Sequence, residues 1–348
     1  MPSKLSKKTT QYDYSIAEYL KGEQDEPDLN TIAGMPKELL LLLKLEKQLP
    51  YGENPHQHAA LYGSFFSAFE KIQGEELSYN DIVDISSATY LTGEFEKATA
   101  AIFNHNNPRG IASAADIHTA WDLALKTDPT SALSSIIIFN RTLDELLAQK
   151  ISTLFCKAII APEFTPESLQ ILSNKKDLCL LRLKKTFGAE TLQEIRSVIG
   201  GILLQDRDSK TIDPTKIQIV THRQPTPEEW TSLLFGWRVA KHVKSNAIVL
   251  SKEEHTISIG SSSTSCFDSL SFAIWKAQQT ALSSDLLHNS ILAFSGSFPS
   301  PQLLESAAKT GITAVIQAGG SKTDSEVIAT ANKLNIAMVF TGLRHFKH

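Results

Sequence analysis

The sequence contains few cysteines and no long apolar segment. Its 348 residues include three cysteines, and none of them forms a C-x-x-C pair. An odd count without such a pair argues against a disulfide framework and a structural zinc site, and favours a reducing compartment. The longest leucine run, at residues 39–43, is far too short to span a bilayer. Residues 1–10 are polar and lack a signal-peptide core. We therefore expect a cytoplasmic protein that binds no membrane.

Several motifs of nucleotide and metal chemistry are also missing. No G-x-G-x-x-G follows a predicted strand and no G-x-x-x-x-G-K-[ST] occurs, which argues against Rossmann dinucleotide binding and P-loop chemistry. No H-x-E is paired with P-C-x-x-C, which excludes zinc deaminase chemistry. The formal net charge of −4 and the scattered basic residues give no nucleic-acid footprint. A short basic cluster at residues 241–244 is still compatible with one phosphate of a small-molecule ligand.

The composition that remains is typical of a soluble globular protein. Hydrophobic residues make up 42% and charged residues 21% of the chain. A chain of this length fits one large domain or two mid-sized domains. From about residue 50, strand-like apolar runs alternate with helical patterns, and this β-α rhythm favours an α/β fold. Residues 206–230 are rich in Asp, Lys, Thr and Pro and predict a boundary between two halves.

The clearest elements are predicted in both halves. Strands are predicted at residues 100–103, 135–139, 158–161, 178–183, 247–250, 313–317 and 337–341. Helices are predicted at residues 115–126, 142–155, 165–172, 266–282 and 324–334. Near the N-terminus we expect a disordered tail at 1–10, a short amphipathic helix at 12–20 and a linker at 21–30. The apolar residues 38–45 are compatible with either a strand or a helix.

Three polar segments lie where functional sites are often found. The glycine-rich turn at 317–321 follows a predicted strand and precedes capping-box spacing at Thr323 and Glu326, so it is either a capped turn or an anion site. His105 lies in a predicted loop just past a strand, a frequent catalytic position in open α/β sheets, although a lone loop histidine is more often structural. Residues 344–348 contain two histidines and two cations. They are compatible with an anion site, a metal site or a solvated tail.

Five segments form the most informative pattern. They are Tyr51-Gly-Glu-Asn-Pro-His-Gln57, Leu77-Ser-Tyr-Asn80, residues 196–208, residues 241–249 and the closing residues 340–348. Together they resemble the AICAR transformylase half of the AICAR transformylase/IMP cyclohydrolase family, and the matches run in order from about residue 11. Residues 12–20 resemble the segment that joins the two halves of the bifunctional protein. We therefore expect this sequence to lack the preceding cyclohydrolase half and do not expect it to close the ring to IMP.

This resemblance implies a fold and a reaction. The fold would be α/β, with mixed sheets flanked by helices and two similar subdomains related in architecture to cytidine deaminases but without zinc. Residues 1–35 would be a tail with a linker-like helix, residues 36–215 the first subdomain and residues 216–348 the second. A homodimer with active sites at the subunit interface is implied. The family transfers a formyl group from 10-formyltetrahydrofolate to the 5-amino group of AICAR, a weak nucleophile that needs a base and oxyanion donors.

The resemblance also implies a role for each matching position, with no metal among the ligands. The catalytic positions are His105 as the base, together with Asn104, Asn246 and His348. The nucleotide-binding positions are Tyr51, Asn80, Lys244, Arg344 and Phe346. The folate-facing positions are Phe298, Pro299, Gly319, Gly320 and Ser321.

The sequence departs from the family at ligand-facing positions. Asn104 stands where the family has lysine, Pro50 where it has arginine, and Arg109 where it has cysteine; residues 262–266 and 294–300 differ as well. Losing one oxyanion donor typically costs about 10²–10³ in rate, and proline cannot make a bidentate phosphate contact. Because Arg109 follows Asn104 closely, it is a candidate replacement for the lost cation.

These departures leave three interpretations open. The first is a transformylase, with activity weakened by the changes. The second is a non-catalytic protein that binds nucleotide or folate, which the changes at Asn104, Pro50 and 262–266 would explain. The third is one-carbon transfer to a different amine, which a pocket that binds folate but not AICAR would favour.

Overall fold

The computed structural model describes residues 31–32, 35–185, 193–280 and 286–348. The predicted tail, the helix at 12–20 and the linker at 21–30 lie outside the described residues. The chain divides into two compact units, Met1–Lys44 and Leu45–His348.

The first unit contains a short β-ladder. Strand β1 (Thr31–Ile32) pairs antiparallel with β2 (Met35–Pro36). The strand or helix predicted at 38–45 is wrong, because residues 37–44 form neither and only Leu45 enters a strand. Consecutive leucines have neither the two-residue nor the 3.6-residue period that gives an element a buried face, and the five leucines at 39–43 are exposed.

A mixed sheet of twelve strands forms the centre of the second unit. Its strands in chain order are β5 (Phe69–Gln73), β6 (Ala98–Asn104), β7 (Asn107–Ala114), β8 (Ile136–Phe139), β9 (Ala158–Ala161), β10 (Cys179–Leu183), β13 (Gln218–Ile219), β14 (Ile248–Lys252), β15 (His255–Gly260), β16 (Ser290–Phe294), β17 (Ile312–Gln317) and β18 (Ala337–Phe340). Two further antiparallel pairs lie outside it: β3 (Leu45–Leu49) with β4 (Ala59–Tyr62), and β11 (Gln193–Val198) with β12 (Gly201–Asp206).

Helices connect these strands. They are α1 (Phe65–Ala68), α2 (Tyr79–Thr92), α3 (Ile117–Thr127), α4 (Glu145–Ser152), α5 (Pro166–Leu172), α6 (Pro227–Lys241), α7 (Cys266–Thr280), α8 (Pro301–Ala308) and α9 (Asp324–Lys333), with 3₁₀ turns at Thr130–Ala132 and Pro214–Lys216. In the part of the chain that the structure describes, none of these helices is long and apolar enough to cross a membrane.

The two halves of the sheet have the same topology. Reading outward from the central β7–β15 pair, each half continues with a hairpin partner, a second antiparallel strand, two parallel strands and an antiparallel edge strand. The second half repeats this order through β14, β16, β17, β18 and β13. Residues 69–183 and 218–340 are therefore a structural repeat. Because all twelve strands share one sheet, the domain boundary at 215–216 stays a prediction.

Helices cover both faces of the sheet. On one face, α2 and α6 pack against alternate strand residues such as Phe103 and Val249. On the other face, α3–α5 bury Trp121 and Phe139 in the first half, and α7–α9 bury Leu292 and other apolar residues in the second. Strands that are buried on both faces have continuous apolar sequences, which is why strands such as β8 and β9 were predictable.

The predicted strands and helices between 100 and 341 are confirmed with small shifts at their ends. The loop predicted at 105–110 is partly wrong, since Asn107–Ala114 forms β7. Pro108 is tolerated there because it lies beside a β-bulge, and Gly110 is required because a Cβ would lie 2.2 Å from the Ala124 carbonyl oxygen of α3. Because proline and glycine are typical of loops, Pro108 and Gly110 led to the prediction of a loop at the start of this strand.

A buried group of charges lies between α2 and α6. One carboxylate oxygen of Glu94 accepts from Lys241 Nζ at 2.7 Å and contacts His242 Nε2 at 2.8 Å. Burial raises the pKa of Glu94, but hydrogen bonds and positive charge from His242 and Lys241 outweigh it and lower that pKa to about 2. Burial lowers the pKa of His242.

We predict that Glu94→Gln destabilises the protein by about 3–5 kcal/mol at neutral pH, because it leaves the buried Lys241 ammonium without its counter-charge. The depressed pKa means that the stabilisation is present above the ordinary value of 4.5 and is lost as the pH falls towards about 2. Denaturant unfolding at pH 7, 5 and 3 should therefore show the gap between variant and parent narrowing with acid. Glu96→Gln, at an exposed neighbour, should change stability by about 0.5 kcal/mol or less. A gap that does not depend on pH would contradict this interpretation.

Candidate active site

Four loops meet at one end of the sheet, beside its central strands. They are the β6–β7 turn, residues 242–247 before β14, residues 261–265 before α7 and the C-terminal residues 341–348. The buried Asn107 links the first three, since its Oδ1 accepts from Lys244 N at 2.8 Å and its Nδ2 donates to Ser262 Oγ at 3.3 Å. Ser245 N donates to the Lys347 carbonyl at 2.8 Å and adds the fourth. We refer to these segments as the loop cluster.

The β6–β7 turn presents His105 at the surface of the loop cluster. His105 and Asn106 both have left-handed backbones, with φ of 54° and 59°. The Asp84 carboxylate on α2 accepts from His105 N at 3.1 Å and from Asn106 N at 2.5 Å. Burial raises the pKa of Asp84, and the two backbone N–H donors oppose that rise. Asn104 ends β6 directly before this turn, so the predicted catalytic pair lies together at the site.

Asn246 lies in the loop that Asn107 connects to the β6–β7 turn. Its Nδ2 donates to the Ser263 carbonyl at 3.1 Å, and its own carbonyl accepts from Ser269 Oγ at 2.7 Å. Lys244 is half-buried in the same loop. The structure therefore brings Asn246 and Lys244 into the loop cluster with His105.

The C-terminal segment is fixed in place, so the solvated-tail alternative is wrong. The buried His345 contacts Asp208 through Nδ1 at 2.5 Å and lies 5.2 Å from the Trp237 ring. Its backbone N–H donates to the Ser295 carbonyl at 3.0 Å. Lys347 N donates to Ser245 Oγ at 3.2 Å.

The three predicted site residues of this segment alternate with its buried anchors. Arg344, Phe346 and His348 are exposed. The Arg344 guanidinium lies 4.5 Å from the centre of the Phe346 ring, and the rings of Phe346 and His348 are 6.1 Å apart. A cation and two aromatic groups thus line the outer side of the loop cluster.

Lys347 points inward and is not among the predicted site residues. Its Nζ is 3.4 Å from both Asn106 Oδ1 and the His242 carbonyl oxygen. Burial lowers the pKa of Lys347 to about 8. The two histidines and two cations at 344–348 indicated that this segment is functional. The local sequence does not show which of these side chains points inward.

Asn80 lies in the first turn of α2, and Tyr51 begins the 51–57 turn that contacts it. Asn80 Nδ2 donates to the Glu53 carbonyl at 3.2 Å, which ties the 51–57 turn to this helix. Asn80 and Asp84 are four residues apart and so share one face of α2. Tyr51 is exposed.

The glycine-rich turn and residues 297–299 form a second group. Ser297 Oγ donates to the Gly319 carbonyl at 2.6 Å, and Gly319 needs its φ of 75° and its missing Cβ, which would lie 2.4 Å from Phe340. Phe298 is fully buried and Pro299 is exposed. Gly296 lies against the Phe346 ring, so this group adjoins the loop cluster.

The structure supports a tight strand-to-helix turn at residues 317–321 over an anion site. Asp324 Oδ2 accepts from Gly320 N at 2.7 Å and from Ser321 N at 3.1 Å, so a carboxylate of the chain already fills the place of an anion. The predicted capping box is wrong. Thr323 makes no capping bond, because its hydroxyl donates to the Phe298 carbonyl at 3.0 Å.

No group of three or more His, Cys, Asp or Glu side chains with the geometry of a metal site occurs within the described ranges. The chemistry that the loop cluster offers is that of imidazole, amide, ammonium and guanidinium groups. These groups can exchange protons and hold an anionic or oxyanionic ligand.

Comparisons with known proteins give a consistent assignment. The family model of the AICARFT/IMPCHase bienzyme matches residues 3–276. The bifunctional purine biosynthesis protein PurH of Chloroflexus aurantiacus is 43% identical over 343 residues, which cover 98% of this chain and 64% of that protein. PurH of Chlorobium chlorochromatii is 41% identical, with 99% and 66% covered, and PurH of Bacillus cereus strain ATCC 10987 is 40% identical, with 100% and 67% covered. The chain spans about two thirds of the length of these curated relatives.

We predict that Lys347→Met changes the pH dependence of stability. The folded pKa of about 8 lies below the ordinary 10.5, so the cost of burying the charged amine is present below pH 8 and is lost as the pH rises to 10.5. The stability of the variant relative to the parent should therefore fall by up to about 3 kcal/mol over this interval.

Denaturant unfolding of both proteins at pH 7, 9 and 10.5 measures this difference directly. Lys309→Met, at an exposed lysine, provides the matched control and should show a nearly constant offset. A constant offset for Lys347→Met as well would mean that the amine is not desolvated.

Proposed function

Because the chain belongs to the AICARFT/IMPCHase bienzyme family, we propose that it transfers a formyl group from 10-formyltetrahydrofolate to the 5-amino group of AICAR. The observation that carries the proposal is the loop cluster itself. It places His105 on an exposed turn beside Asn104, and Asn107 joins that turn to the loop that holds Lys244 and Asn246. The C-terminal residues Arg344–His348 complete the cluster.

His105 is proposed as the base. The AICAR amine attacks the formyl carbon, forming the new C–N bond while its proton passes to the imidazole. The tetrahedral intermediate carries an oxyanion, and the Asn246 amide and the His348 ring are proposed as the donors that stabilise it. Collapse breaks the bond between the formyl carbon and the folate nitrogen, and that nitrogen takes up a proton as tetrahydrofolate leaves.

The nucleotide would lie against the cationic side of the cluster. Lys244 and Arg344 supply positive charge for its phosphate, and Phe346 offers an aromatic surface beneath the Arg344 guanidinium. Tyr51 and Asn80 would hold the nucleotide from the start of α2. The folate would lie beside Phe298 and Pro299 and the turn at Gly319, Gly320 and Ser321, which adjoin Phe346 through Gly296.

Activity is proposed to be weaker than in a chain with lysine at position 104. An amide can donate one hydrogen bond but adds no positive charge, so stabilisation of the oxyanion should be reduced. Arg109 lies on β7, half-buried, and its Nε makes no hydrogen bond. It is therefore a candidate source of compensating charge.

A cytoplasmic homodimer with sites at the subunit interface is part of this proposal. The β11–β12 hairpin is exposed along almost its whole length and carries the apolar residues Ile195, Val198, Ile199, Ile202 and Leu203 at its surface. Apolar patches of this kind mark interaction surfaces. Arg196 of the hairpin donates to the His348 carbonyl at 3.0 Å, so a partner bound there would lie next to the site. The topological repeat in the sheet supports two related subdomains, and their likeness to cytidine deaminases rests on the family resemblance alone.

The proposal predicts that His105→Ala lowers kcat for AICAR formylation by about 10²–10⁴, because the general base is lost. Asn104→Lys should raise kcat, because it adds a charged donor. Steady-state release of tetrahydrofolate with AICAR and 10-formyltetrahydrofolate measures both effects. His288→Ala, at an exposed histidine in another loop, is the control and should retain the parent rate.

No turnover in the parent and none gained with Asn104→Lys would favour the non-catalytic interpretation. Turnover with an amine other than AICAR would favour transfer to a different acceptor.

Arg109→Ala tests the compensating charge separately. We expect a loss of about tenfold in kcat/KM, equal to about 1.4 kcal/mol, if the guanidinium supports the site. The Asn104→Lys background should suppress that loss, because the charge is then supplied in place. Unchanged kinetics and ligand binding in Arg109→Ala would show that Arg109 does not supply the compensating charge.

A further inference from the structure

The turn that carries His105 adopts a conformation that its sequence does not favour. Two consecutive residues other than glycine, His105 and Asn106, have positive φ angles. Such residues are uncommon in proteins and persist where the surroundings fix them. Asparagine tolerates this region better than histidine does, so His105 depends on its surroundings to hold its backbone in place.

Asp84 provides that support from outside the turn. Each of its carboxylate oxygens accepts one backbone N–H of the turn, from His105 at 3.1 Å and from Asn106 at 2.5 Å. Asp84 is buried within α2, which packs against the central sheet and is therefore a rigid base. Hydrogen bonds from backbone N–H groups to an ionised carboxylate are stronger than those to a neutral acceptor.

The Asn106 side chain connects the same turn to the C-terminal segment. Its Oδ1 accepts from Ser87 Oγ on α2 and lies 3.4 Å from Lys347 Nζ. Lys347 is held in turn by the His242 carbonyl oxygen at 3.4 Å. The charged groups acting on Lys347 are Glu194, Lys244, Arg207 and Asp84. The turn therefore lies between a carboxylate on one side and an ammonium on the other.

We propose that Asp84 and Lys347 are positioning residues for His105: Asp84 fixes the backbone of the turn, and Lys347 fixes Asn106 and supplies the positive charge beside the turn that Asn104 lacks. This inference rests on the proposed function, in which His105 is the base. Neither residue needs to touch a substrate. Their effect is on where the imidazole lies and on the electrostatic field that it experiences.

The proposal is distinguishable from a purely structural role. Asp116 makes a related arrangement at the exposed start of α3, where one carboxylate oxygen accepts from the backbone N–H of His118 at 3.0 Å and of Thr119 at 2.9 Å, and the other accepts from Thr119 Oγ1 at 2.7 Å. Asp116→Asn therefore neutralises a carboxylate that accepts from backbone N–H groups at a helix start, without touching the loop cluster. If the two variants lose the same stability but differ in kcat, the difference in kcat is caused by a change in the position of His105.

The test compares Asp84→Asn, Asp116→Asn and the parent in steady-state kinetics. In Asp84→Asn, one of the two backbone N–H groups of the turn faces the NH₂ group of the amide and loses its hydrogen bond, which should displace His105. Displacing a catalytic group by about 1 Å can lower the rate by about 10²-fold. We expect kcat to fall by that order, with KM for the folate within twofold, while Asp116→Asn keeps the parent kcat. Equal kcat values in the two variants would overturn the role of Asp84.

Lys347 is tested by its charge. Lys347→Met should lower kcat and alter the alkaline limb of the pH–rate profile, and Lys347→Arg should restore most of the rate because it keeps the cation. If Lys347→Met and Lys347→Arg have the same kcat and the same pH profile, the charge has no part in positioning.

A readout that needs no turnover separates this inference from the proposed function. The imidazole signals of His105 in nuclear magnetic resonance spectra, assigned with His105→Gln, report the position and titration of the ring directly. We expect them to shift and broaden in Asp84→Asn and to stay unchanged in Asp116→Asn. An unchanged ring in Asp84→Asn overturns the inference, whereas an inactive parent whose ring responds as expected overturns only the proposed function.

If Asp84→Asn does not fold, Ser87→Ala gives a milder test. It removes only the hydroxyl bond to Asn106 Oδ1 and leaves the backbone bonds of the turn in place. A smaller loss of kcat together with a shifted His105 signal would support the inference. Parent kinetics and a parent spectrum would count against it.

Discussion

The contact between β7 and β15 joins the two halves of the sheet, and the site depends on it. A single ladder pair, His255 with Ala112, connects these strands. Buried hydroxyls supply further bonds: Thr256 Oγ1 accepts from Ile111 N at 3.0 Å, and Thr127 Oγ1 donates to the Thr256 carbonyl at 2.7 Å. This join sets the β6–β7 turn of the first half beside the loop before β14 of the second, and the proposed catalytic groups come from both.

The loops at this join are supported by polar groups buried beneath them. Glu94 holds Lys241 and His242 at the end of α6, directly before the loop that carries Asn246. His345, paired with Asp208, anchors the C-terminal segment between Arg344 and Phe346. Such networks give little net stability compared with apolar packing, but they define one arrangement when every member is satisfied. The exposed residues proposed for the site thus alternate with inward-facing residues that fix the segment in place.

Much of the fold could be read from the sequence because its central strands are buried on both faces. Ala158–Ala161 is apolar throughout and was predicted to the residue. Helix α2 was not predicted, because its Ser, Thr and Asp residues favour caps and turns over helix interiors. Helix α6 begins with the capping box of Thr226 and Glu229, and this polar start falls within the stretch interpreted as a boundary.

The residues of the proposed site came mainly from the family motifs. His105, Asn246 and the closing residues came from the resemblance, and the structure brings them to adjacent loops. Asp84 and Lys347 could not be found in this way. Asp84 contacts backbone N–H groups, and Lys347 contacts a side chain more than 200 positions away. Such contacts leave no local pattern in the sequence. Asp324, which fills the glycine-rich turn, was missed for a different reason, because the capping-box spacing was assigned to Thr323 and Glu326 instead.

The most direct test of the account is whether the purified chain moves the formyl group to AICAR. The measurement is a reaction with isotope-labelled 10-formyltetrahydrofolate, in which mass spectrometry identifies the labelled nucleotide and absorbance follows the release of tetrahydrofolate. The account predicts labelled formyl-AICAR in a one-to-one ratio with tetrahydrofolate over many turnovers. Binding of both ligands without any labelled nucleotide would contradict it and would make this chain a binding protein built on the transformylase fold.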